Sequence, residues 1–464
     1  MSAERIENVV LGGGEAGKYV AWELAKEGRP VVVIERGLVG GSCPNIACLP
    51  SKNVIRTAQV AGLVARAAEY GISAPGASVD MQGVRRRKRE MVDGMIAIHR
   101  KKFDVPRLEF LLGEGRLTGP RSVEVRLAEG GTRRFEAERL FLNLGTHAAI
   151  PDVPGLAAAA PLTHVEALEL GRLPAHLVVV GGGYVGVELA QAFRRLGSAV
   201  TILEYGPQLL GREDPDVAAA VRELLEQEGI EVMTGAETTA VEGRSGELVR
   251  LTVKSPAGEY TLEGSDLLVA AGRVPNTRGI GLEEAGIALD ARGWIEVDDR
   301  LQAAPSVWAM GECAGSPQFT HVAFDDFRVV RDNLAGNARS TRGRLVPYCA
   351  FIDPELARIG LDETMAVKQR IRVRVAKLAM SSVLRARAMV ETRGFMKMLI
   401  DAESDRILGF TMLGVSAGEV LAVVQAAMLG GLPYTGLRDA IFTHPTMAEG
   451  LNVLLADVPA AGAR

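Results

Sequence analysis

Two stretches of the chain share one pattern of apolar and polar positions. Each contains a short apolar run, a glycine-rich turn, a stretch with helically spaced apolar residues and a second apolar run. The two copies, residues 9–35 and 178–204, align without a gap. Short apolar runs predict buried strands, and apolar positions three to four residues apart predict an amphipathic helix. Each copy is therefore predicted to be a βαβ unit, which requires a parallel sheet with a right-handed crossover.

The same pattern predicts further elements outside the two copies. Apolar runs that end in glycine predict strands, and longer amphipathic stretches predict helices. The predicted strands are 140–145, 266–272 and 306–311, and the predicted helices are 54–70, 80–103, 417–430 and 435–440. After about residue 343, mixed apolar and polar stretches such as 372–380 and 395–413 predict an antiparallel sheet with hairpins.

Length and composition restrict the class of protein. A chain of 464 residues is expected to divide into about three domains, and 47% hydrophobic with 24% charged residues is typical of a globular protein in water. A net charge of −4 gives no reason to expect nucleic acid or an anionic membrane as a partner. The lack of a signal-peptide pattern and of an apolar run of about 18 residues favours a cytoplasmic protein. Four cysteines are too few for a disulfide scaffold.

The glycine spacing in both copies is typical of a dinucleotide-binding turn. The first glycine makes a tight turn, the second lets the backbone approach a pyrophosphate, and the third lets the helix pack on the strand. Amides at the helix N-terminus hold the phosphates, and an acid after the second strand accepts hydrogen bonds from a ribose. The residues concerned are Gly12, Gly14, Gly17 and Glu35 in the first copy and Gly181, Gly183, Gly186 and Glu204 in the second. One such turn can be purely structural, but two matching copies predict that the chain binds two dinucleotides.

Two cysteines, Cys43 and Cys48, follow the first copy in the segment GGSCPNIACLPSK (40–52). Pro50 suits the first turn of a helix, so Cys48 is expected at the positive end of a helix dipole, with Lys52 one turn further on. Such surroundings favour the reactive thiolate over the thiol. The alternative, two buried core cysteines, does not explain their position among glycines beside a nucleotide turn. The pattern favours electron transfer from a nucleotide cofactor through sulfur.

Together with four later motifs, these segments resemble the class I flavoprotein disulfide reductases, which include glutathione reductase, dihydrolipoamide dehydrogenase and mercuric reductase. The segment GGSCPNIACLPSK resembles the redox-disulfide signature of that family. The other matching segments are LNLGTHAAIP (142–151), AAGRVPNT (270–277), SVWAMGEC (306–313) and FTHPTMAEG (442–450). The resemblance covers essentially the whole chain.

The resemblance implies an α/β fold with two Rossmann-like domains, one for FAD and one for NAD(P), and a C-terminal α+β dimerisation domain. The implied bounds are 1–152 and 276–342 for the two parts of the FAD domain, 153–275 for the NAD(P) domain and 343–464 for the dimerisation domain.

The resemblance also implies cofactor-binding residues. FAD is expected at the first glycine turn and Glu35, and NAD(P)H at the second turn and Glu204, with Tyr184 gating the nicotinamide pocket. The further residues implied for FAD are Gly41, Ser42, Lys52, Gly145, Gly311, Glu312 and Ala323, and the further residue implied for NAD(P)H is Gly272. Glu312 stands where the family usually has aspartate. Because Glu204 is followed by Tyr205 and not by arginines that would bind a 2′-phosphate, NADH is favoured over NADPH.

The resemblance further implies a redox disulfide between Cys43 and Cys48, with Cys48 against the flavin and Cys43 facing the substrate. The implied catalytic residues are Cys43, Cys48, Lys52, Glu188, His444 and Glu449. Among them Lys52 and Glu188 would pair near the flavin, and His444 would be a base oriented by its acid. In this family that histidine reaches the disulfide of the other subunit, so a homodimer is expected. A metal cofactor is not expected.

The electron acceptor is less tightly specified by the sequence. The segments 308–334 and 432–449 are most similar to a branch that holds mercuric-reductase-like oxidoreductases and a reactive-chlorine-resistance flavoprotein able to reduce copper(II). The last cysteine is Cys349, so the tail lacks the cysteine pair that mercuric reductases carry. A small-molecule disulfide or a soft metal ion is therefore the predicted acceptor. The alternatives are a dihydrolipoamide dehydrogenase, a flavoprotein that reduces quinone or oxygen directly with bystander cysteines, and a non-catalytic subunit or redox sensor.

Overall fold

The computed structural model describes residues 3–460, which form two compact units. Unit 1 contains the chain up to Asn53 together with Gln82–Ala149 and Gly272–Arg344. Unit 2 contains Val54–Met81, Ile150–Ala271 and the chain from Leu345 onward. Both units combine helices with sheets, so the predicted α/β class is confirmed. The division into FAD, NAD(P) and dimerisation domains at the bounds given above stays a prediction.

A seven-stranded sheet forms the centre of unit 1. Its strands in chain order are Glu4–Leu11, Val31–Glu35, Leu108–Gly119, Ser122–Leu127, Thr132–Leu142, Gln302–Ala304 and Val307–Ala309. The first strand pairs in parallel with both the second and the fifth. Val9, Val10 and Val33 in this parallel part are completely buried, as expected for strands covered on both faces. A separate antiparallel pair joins Thr146–Ala148 to Arg273–Pro275.

The helices that begin or end in unit 1 include those predicted near the glycine turn and the cysteines. They are Glu15–Lys26, Ser42–Asn45, Cys48–Ala65, Met81–Phe103 and Thr320–Leu334, and a 3₁₀ turn covers Gly311–Ala314. Helix Glu15–Lys26 connects two parallel strands, so the first predicted βαβ unit is confirmed. The helices predicted at 54–70 and 80–103 are also confirmed, and the first of them begins earlier, at Cys48.

Three sheets lie in the described part of unit 2. The parallel sheet has the strands Asp266–Val269, His176–Val180, Ala199–Glu204 and Glu231–Thr234, in that spatial order. The three-stranded antiparallel sheet consists of Glu237–Arg244, Leu248–Ser255 and Gly258–Gly264. The five-stranded antiparallel sheet has the order Tyr348–Ala350, Glu355–Gly360, Ile407–Gly414, Phe395–Asp401 and Val373–Ala379, which confirms the sheet predicted after residue 343.

Helix Tyr184–Leu196 connects two neighbouring strands of the parallel sheet, which confirms the second βαβ unit. The other helices of unit 2 are His164–Ala167, Pro215–Gln227, Glu363–Lys368, Leu384–Ala388, Ala417–Leu429, Tyr434–Arg438 and Gly450–Ala456, with 3₁₀ turns at Ala67–Tyr70 and Met380–Ser382. Within residues 3–460 no helix combines the length and the apolar character needed to span a membrane.

A buried ammonium group links the five-stranded sheet to helix Pro215–Gln227 and its cap. Lys397 is 0% exposed, and its Nζ lies 2.7 Å from Asp214 Oδ2 and 2.8 Å from Asp216 Oδ1 and Glu363 Oε1. Carboxylate oxygens of the three acids lie within 4.8 Å of one another. The ammonium has three N–H donors, so one lysine donates to all three acids and offsets part of their negative charge.

Lys397→Met should lower the free energy of unfolding by about 3 kcal/mol or more, because the change leaves the buried carboxylate of Asp214 without its cation. Urea unfolding of the purified variant measures this loss. Lys377→Met is the matched control, since Lys377 also pairs with Asp216 (2.6 Å) but is 45% exposed. Its loss should amount to less than about 1 kcal/mol. Equal losses in the two variants would contradict a special role for the buried lysine.

Candidate functional site

The first glycine turn lies between the first strand of unit 1 and the helix that follows it. Gly12 has a φ of +101°, a left-handed conformation that favours glycine. A Cβ on Gly17 would collide with the Gly12 carbonyl oxygen, so this position has no room for a side chain. The Glu35 carboxylate accepts a hydrogen bond from the Gly13 amide at 2.9 Å. The acid at the end of the second strand thus fixes the turn.

The second glycine turn repeats this geometry in unit 2. Gly181 has a φ of +110°, and its carbonyl oxygen leaves no room for a Cβ on Gly186. The Glu204 carboxylate accepts a hydrogen bond from the Gly182 amide at 2.6 Å, as in the first turn. Apart from the adjoining residues Gly182 and Tyr184, no atom of the described chain lies within 4 Å of the position that a Cβ on Gly183 would take. The turn therefore leaves open space before the helix N-terminus, which fits a pyrophosphate.

Asn143, which was not predicted from the sequence, connects the first turn to the motif at 306–313. Its Oδ1 accepts a hydrogen bond from the Gly17 amide, and its Nδ2 donates to the Met310 carbonyl, both at 3.0 Å. A Cβ on Gly311 would lie 3.0 Å from Asn143 Nδ2 and 3.4 Å from Ala323 Cβ. Three residues predicted to bind FAD from distant parts of the sequence are thus brought together.

The glycines before the first cysteine also pack on this turn. Gly41 has a φ of +84°, and a Cβ on it would collide with Gly14. Ser42 is the first residue of the short helix that carries Cys43. Gly145 has a φ of +64°, and its carbonyl accepts a hydrogen bond from the Asn276 amide. The close approach of the two backbone segments therefore requires glycine at position 41 and brings Gly41 against the first turn.

Two predicted cofactor residues have partners that the sequence did not indicate. The Glu312 carboxylate accepts a hydrogen bond from the Thr146 hydroxyl and lies 3.3 Å from Arg273 Nε. Gly272 belongs to unit 1, where its carbonyl accepts a hydrogen bond from the Ala149 amide at 2.9 Å. The second glycine turn belongs to unit 2, so the structure does not group Gly272 with the other predicted NAD(P) residues within one unit.

The two cysteines of the candidate redox centre are both half-buried in unit 1. Cys48 is the first residue of helix Cys48–Ala65, as Pro50 predicts. Its Sγ lies 3.2 Å from the hydroxyl of Thr320, which begins another helix. The two thiols are hydrogen-bonded to each other. Thr320 was not identified from the sequence, because 272 positions separate it from Cys48.

The surroundings make the two cysteines unequal. The pKa of the Cys48 thiol is lowered to about 6, first by the hydrogen bond from Cys43 and then, against the opposing effect of burial, by Thr320 and the charge of Lys52. The pKa of Cys43 is raised, first by the same hydrogen bond and then by burial. At neutral pH the pair therefore carries one thiolate, on Cys48, and one thiol, on Cys43.

The C-terminal pair predicted from the sequence is in contact in unit 2. His444 Nδ1 lies 2.9 Å from Glu449 Oε1, and the imidazole is 61% exposed. Glu188 is buried, and its carboxylate accepts a hydrogen bond from the Phe351 amide at 2.7 Å. Lys52 belongs to unit 1 and Glu188 to unit 2, and the proposed pairing of the two stays a prediction.

Two glycine turns with their acids, together with a thiol pair at a helix N-terminus, are typical of dinucleotide-dependent oxidoreductases. The sequence profile described as pyridine nucleotide-disulphide oxidoreductase matches residues 7–326, and the profile of its dimerisation domain matches residues 346–454. The chain belongs to the pyridine nucleotide-disulphide oxidoreductase family, and it is an enzyme of the flavoprotein disulfide oxidoreductase type. The resemblance seen in the sequence is confirmed, and the family implies FAD and a pyridine nucleotide as cofactors.

Individual relatives match over nearly the whole chain. A probable pyridine nucleotide-disulfide oxidoreductase, RclA, of Escherichia coli is 36% identical over 97% of this chain and 99% of that protein. A mercuric reductase of Acidithiobacillus ferrooxidans is 34% identical over 97% of this chain and 82% of that protein. The solved structure of a Cu(II) complex of the HOCl-induced flavoprotein disulfide reductase RclA of E. coli has a TM-score of 0.89 at 35% identity, covering 98% of this chain and 99% of that one.

Thr320→Ala should raise the pKa of Cys48, because it removes a hydroxyl that stabilises the thiolate. In a Cys43→Ser background, the pH profile of Cys48 alkylation by iodoacetamide should move to higher pH, and the rate at pH 6.5 should fall by about threefold. Mass spectrometry of the alkylated peptide gives the rate. Ser51→Ala is the control, since the Ser51 hydroxyl contacts the Cys48 carbonyl and not its sulfur. An unshifted profile for Thr320→Ala would show that the hydroxyl does not act on the thiolate.

Proposed function

We propose that this protein uses NADH to reduce a soft metal ion, copper(II) before others, or a small disulfide through Cys43 and Cys48. The unequal thiol pair is the observation that carries the proposal. Cys48 is stabilised as a thiolate at a helix N-terminus, while Cys43 keeps its proton beside it. The relatives support the acceptor, since one is described as a Cu(II) complex of a disulfide reductase and another as a mercuric reductase.

The electron balance of the thiol pair suits both kinds of acceptor. When Cys43 and Cys48 close to a disulfide, the pair releases two electrons and, counted from two thiols, two protons. Two copper(II) ions take these electrons and become two copper(I) ions. A disulfide substrate takes the two electrons and two protons and leaves as two thiols. Thiolate is a ligand that soft metal ions prefer, so the pair can bind the ion that it reduces.

The chain offers separate sites for the two nucleotides that the family implies. The first turn, Glu35, Asn143 and Gly311 would hold FAD, which when bound supplies a two-electron carrier beside the thiol pair. The second turn and Glu204 would hold the pyridine nucleotide. Glu204 accepts hydrogen bonds from two backbone amides, Gly182 and Gly206, so its carboxylate lies at the turn where a 2′-phosphate would be repelled. This arrangement supports NADH over NADPH.

His444 is proposed to remove the proton from Cys43. A thiol whose pKa is raised is a poor nucleophile until a base takes its proton. Glu449 holds the imidazole through Nδ1, so that Nε2 is the ring nitrogen proposed to take the proton. In this family the histidine serves the neighbouring subunit, and the chain contains the matching dimerisation domain. We therefore propose a homodimer as the active form.

Cys43→Ser should reduce turnover with copper(II) to below about 1% of the wild-type value, because serine cannot form the disulfide. Trapping of copper(I) by a chromogenic chelator measures turnover, and mercury(II), lipoamide and an aromatic disulfide are assayed alongside. Anaerobic stopped-flow reduction of the bound flavin by NADH should remain close to that of the wild type. Cys349→Ser is the matched control and should keep its turnover. Undiminished turnover in Cys43→Ser would exclude the thiol route and favour direct transfer from the flavin.

Gly183→Ala should weaken NADH binding while FAD content is unchanged. Gly183 has an extended backbone, which alanine adopts easily, and its Cβ would point into the open space proposed for the pyrophosphate. We expect the KM for NADH to rise by about tenfold, measured by steady-state kinetics with FAD content checked by absorbance. Gly211→Ala, at another uncrowded glycine of unit 2, is the control. An unaltered KM in Gly183→Ala would place the nucleotide elsewhere.

A further inference from the structure

The helix that follows the first glycine turn begins with an acid, Glu15, at the place where a pyrophosphate is proposed to bind. The backbone amides of Glu15 and Ala16 have no hydrogen-bond acceptor among residues 3–460, although Ala16 is completely buried. A buried amide without an acceptor is costly, so these donors suit an anionic oxygen. The same amides and the helix dipole also attract a carboxylate in the first turn. Without a partner of its own, Glu15 would therefore compete with a phosphate and repel it.

Lys18 binds the Glu15 carboxylate on one face of the helix. Its Nζ lies 2.7 Å from Glu15 Oε2, and the two side chains are only 6% and 17% exposed. Residues three positions apart are neighbours on the same helix face, so the pair holds the carboxylate along that face. No backbone amide in the described part of the chain donates to it. Because both groups are largely buried, solvent screens their attraction less than that of a surface pair.

Two neutral acceptors hold Lys18 in this position. Its Nζ lies 3.3 Å from the Gly40 carbonyl oxygen and 3.2 Å from His99 Nε2. His99 Nδ1 lies 2.8 Å from the Met95 carbonyl oxygen, which can only accept, so Nδ1 carries the proton of the neutral ring and Nε2 is an acceptor. Burial, followed by the charge of Lys18, lowers the pKa of His99 and so keeps the ring neutral. Each of the three ammonium donors therefore has an acceptor, and of these acceptors only Glu15 is charged.

The two neutral acceptors are themselves fixed by packing. Gly40 has a φ of +87°, and a Cβ on it would lie 2.8 Å from the His99 ring. Trp22 stacks on the same ring, with the planes 18° apart and the centroids separated by 6.0 Å. The ring therefore has backbone and an indole in contact with it, and it cannot turn away from Lys18 without losing both. Lys18 is thus held at the start of the helix beside Glu15.

We infer that Lys18 is a positioning residue for FAD, which holds and neutralises the Glu15 carboxylate so that the amides at the start of the helix can bind the pyrophosphate. The inference rests on the proposed function, because it takes the first turn as the FAD site. Without Lys18, an uncompensated carboxylate beside those amides weakens the binding of an anionic ligand.

Release of FAD from the diluted holoenzyme, followed by flavin fluorescence, gives the dissociation constant of FAD and tests this inference. Lys18→Met should raise that constant by about tenfold at pH 7.5, because the charge of Glu15 is then uncompensated. Glu15→Gln/Lys18→Met should return to within about threefold of the wild type, because the neutral side chain does not repel a phosphate. Lys26→Met is the matched control and should bind FAD like the wild type, since Lys26 is exposed in the last turn of the same helix.

The pH dependence separates charge compensation from general support of the fold. In Lys18→Met the dissociation constant of FAD should fall between pH 7.5 and pH 5.5, because burial without a cation raises the pKa of Glu15 and protonation removes the repelling charge. Glu15→Gln/Lys18→Met should show no such gain. The double variant keeps the other titratable groups that act on this cluster, His99, Lys102 and Cys43, and so corrects for their titration.

Three results would overturn the inference alone: wild-type affinity in Lys18→Met, a loss that persists in the double variant, or the same pH dependence in both variants. If Lys18→Met does not fold, Lys18→Gln, which keeps a donor for the Gly40 carbonyl, takes its place in the same comparisons. A wild-type protein that purifies without FAD and cannot be reconstituted with it would instead overturn the assignment of the first turn.

Discussion

Backbone amides at helix N-termini, for which the helix itself supplies no acceptor, are the physical constraint on which the candidate site depends. The helices that begin at Glu15, Tyr184 and Cys48 each present first-turn amides that have no acceptor within their own helix. The helix dipole adds partial positive charge at the same place. Two of these ends lie at glycine turns suited to pyrophosphates, and the third carries a cysteine sulfur. On the proposed function, one electrostatic arrangement would favour three anions, two on the cofactors and one on a side chain of the protein itself.

The same arrangement explains why two identical thiols acquire different chemistry. Two thiolates in hydrogen-bond contact in a half-buried site would repel each other, so only one proton leaves easily. The hydrogen bond from Cys43, then Thr320 and the charge of Lys52, lower the pKa of Cys48, and the remaining proton stays on Cys43. Electron transfer through a thiol pair needs this asymmetry. One sulfur of the reduced pair must be a thiolate, while the other stays protonated until a base removes its proton. The asymmetry comes from position in the fold, since the side chains themselves are the same.

Periodicity and spacing were sufficient to predict the elements that local sequence determines. Both βαβ units and the helix at Cys48 follow from short-range patterns, and the structure contains them. The contact between His444 and Glu449, which the structure also contains, was implied by the family resemblance and not by periodicity. Asn143 and Thr320 could not be predicted in the same way. Asn143 accepts a hydrogen bond from the amide of Gly17, 126 positions away in the sequence. No repeating pattern of apolar and polar residues predicts a contact over that distance.

Gly272 shows a second limit of sequence patterns. The apolar run 266–272 predicts one strand ending in glycine, and the family resemblance separately implies that Gly272 binds NAD(P)H. The strand ends at Val269, and the chain enters unit 1 at Gly272, where its carbonyl pairs with the Ala149 amide. Hydrophobicity marks the buried run but does not show where the chain leaves one unit for another.

Two adjacent acids explain why the second nucleotide turn and residues from 345 onward belong to one compact unit. Glu213 and Asp214 are both buried, and a buried carboxylate is tolerated only where donors and cations surround it. Glu213 accepts from Tyr184 and Tyr348, while Asp214 accepts from the Thr364 amide and from a buried lysine of the five-stranded sheet. Any displacement of the segment would leave at least one buried anion without its donors. The five-stranded sheet therefore helps to support the second glycine turn. A substitution that disturbs the packing of one is expected to disturb the other.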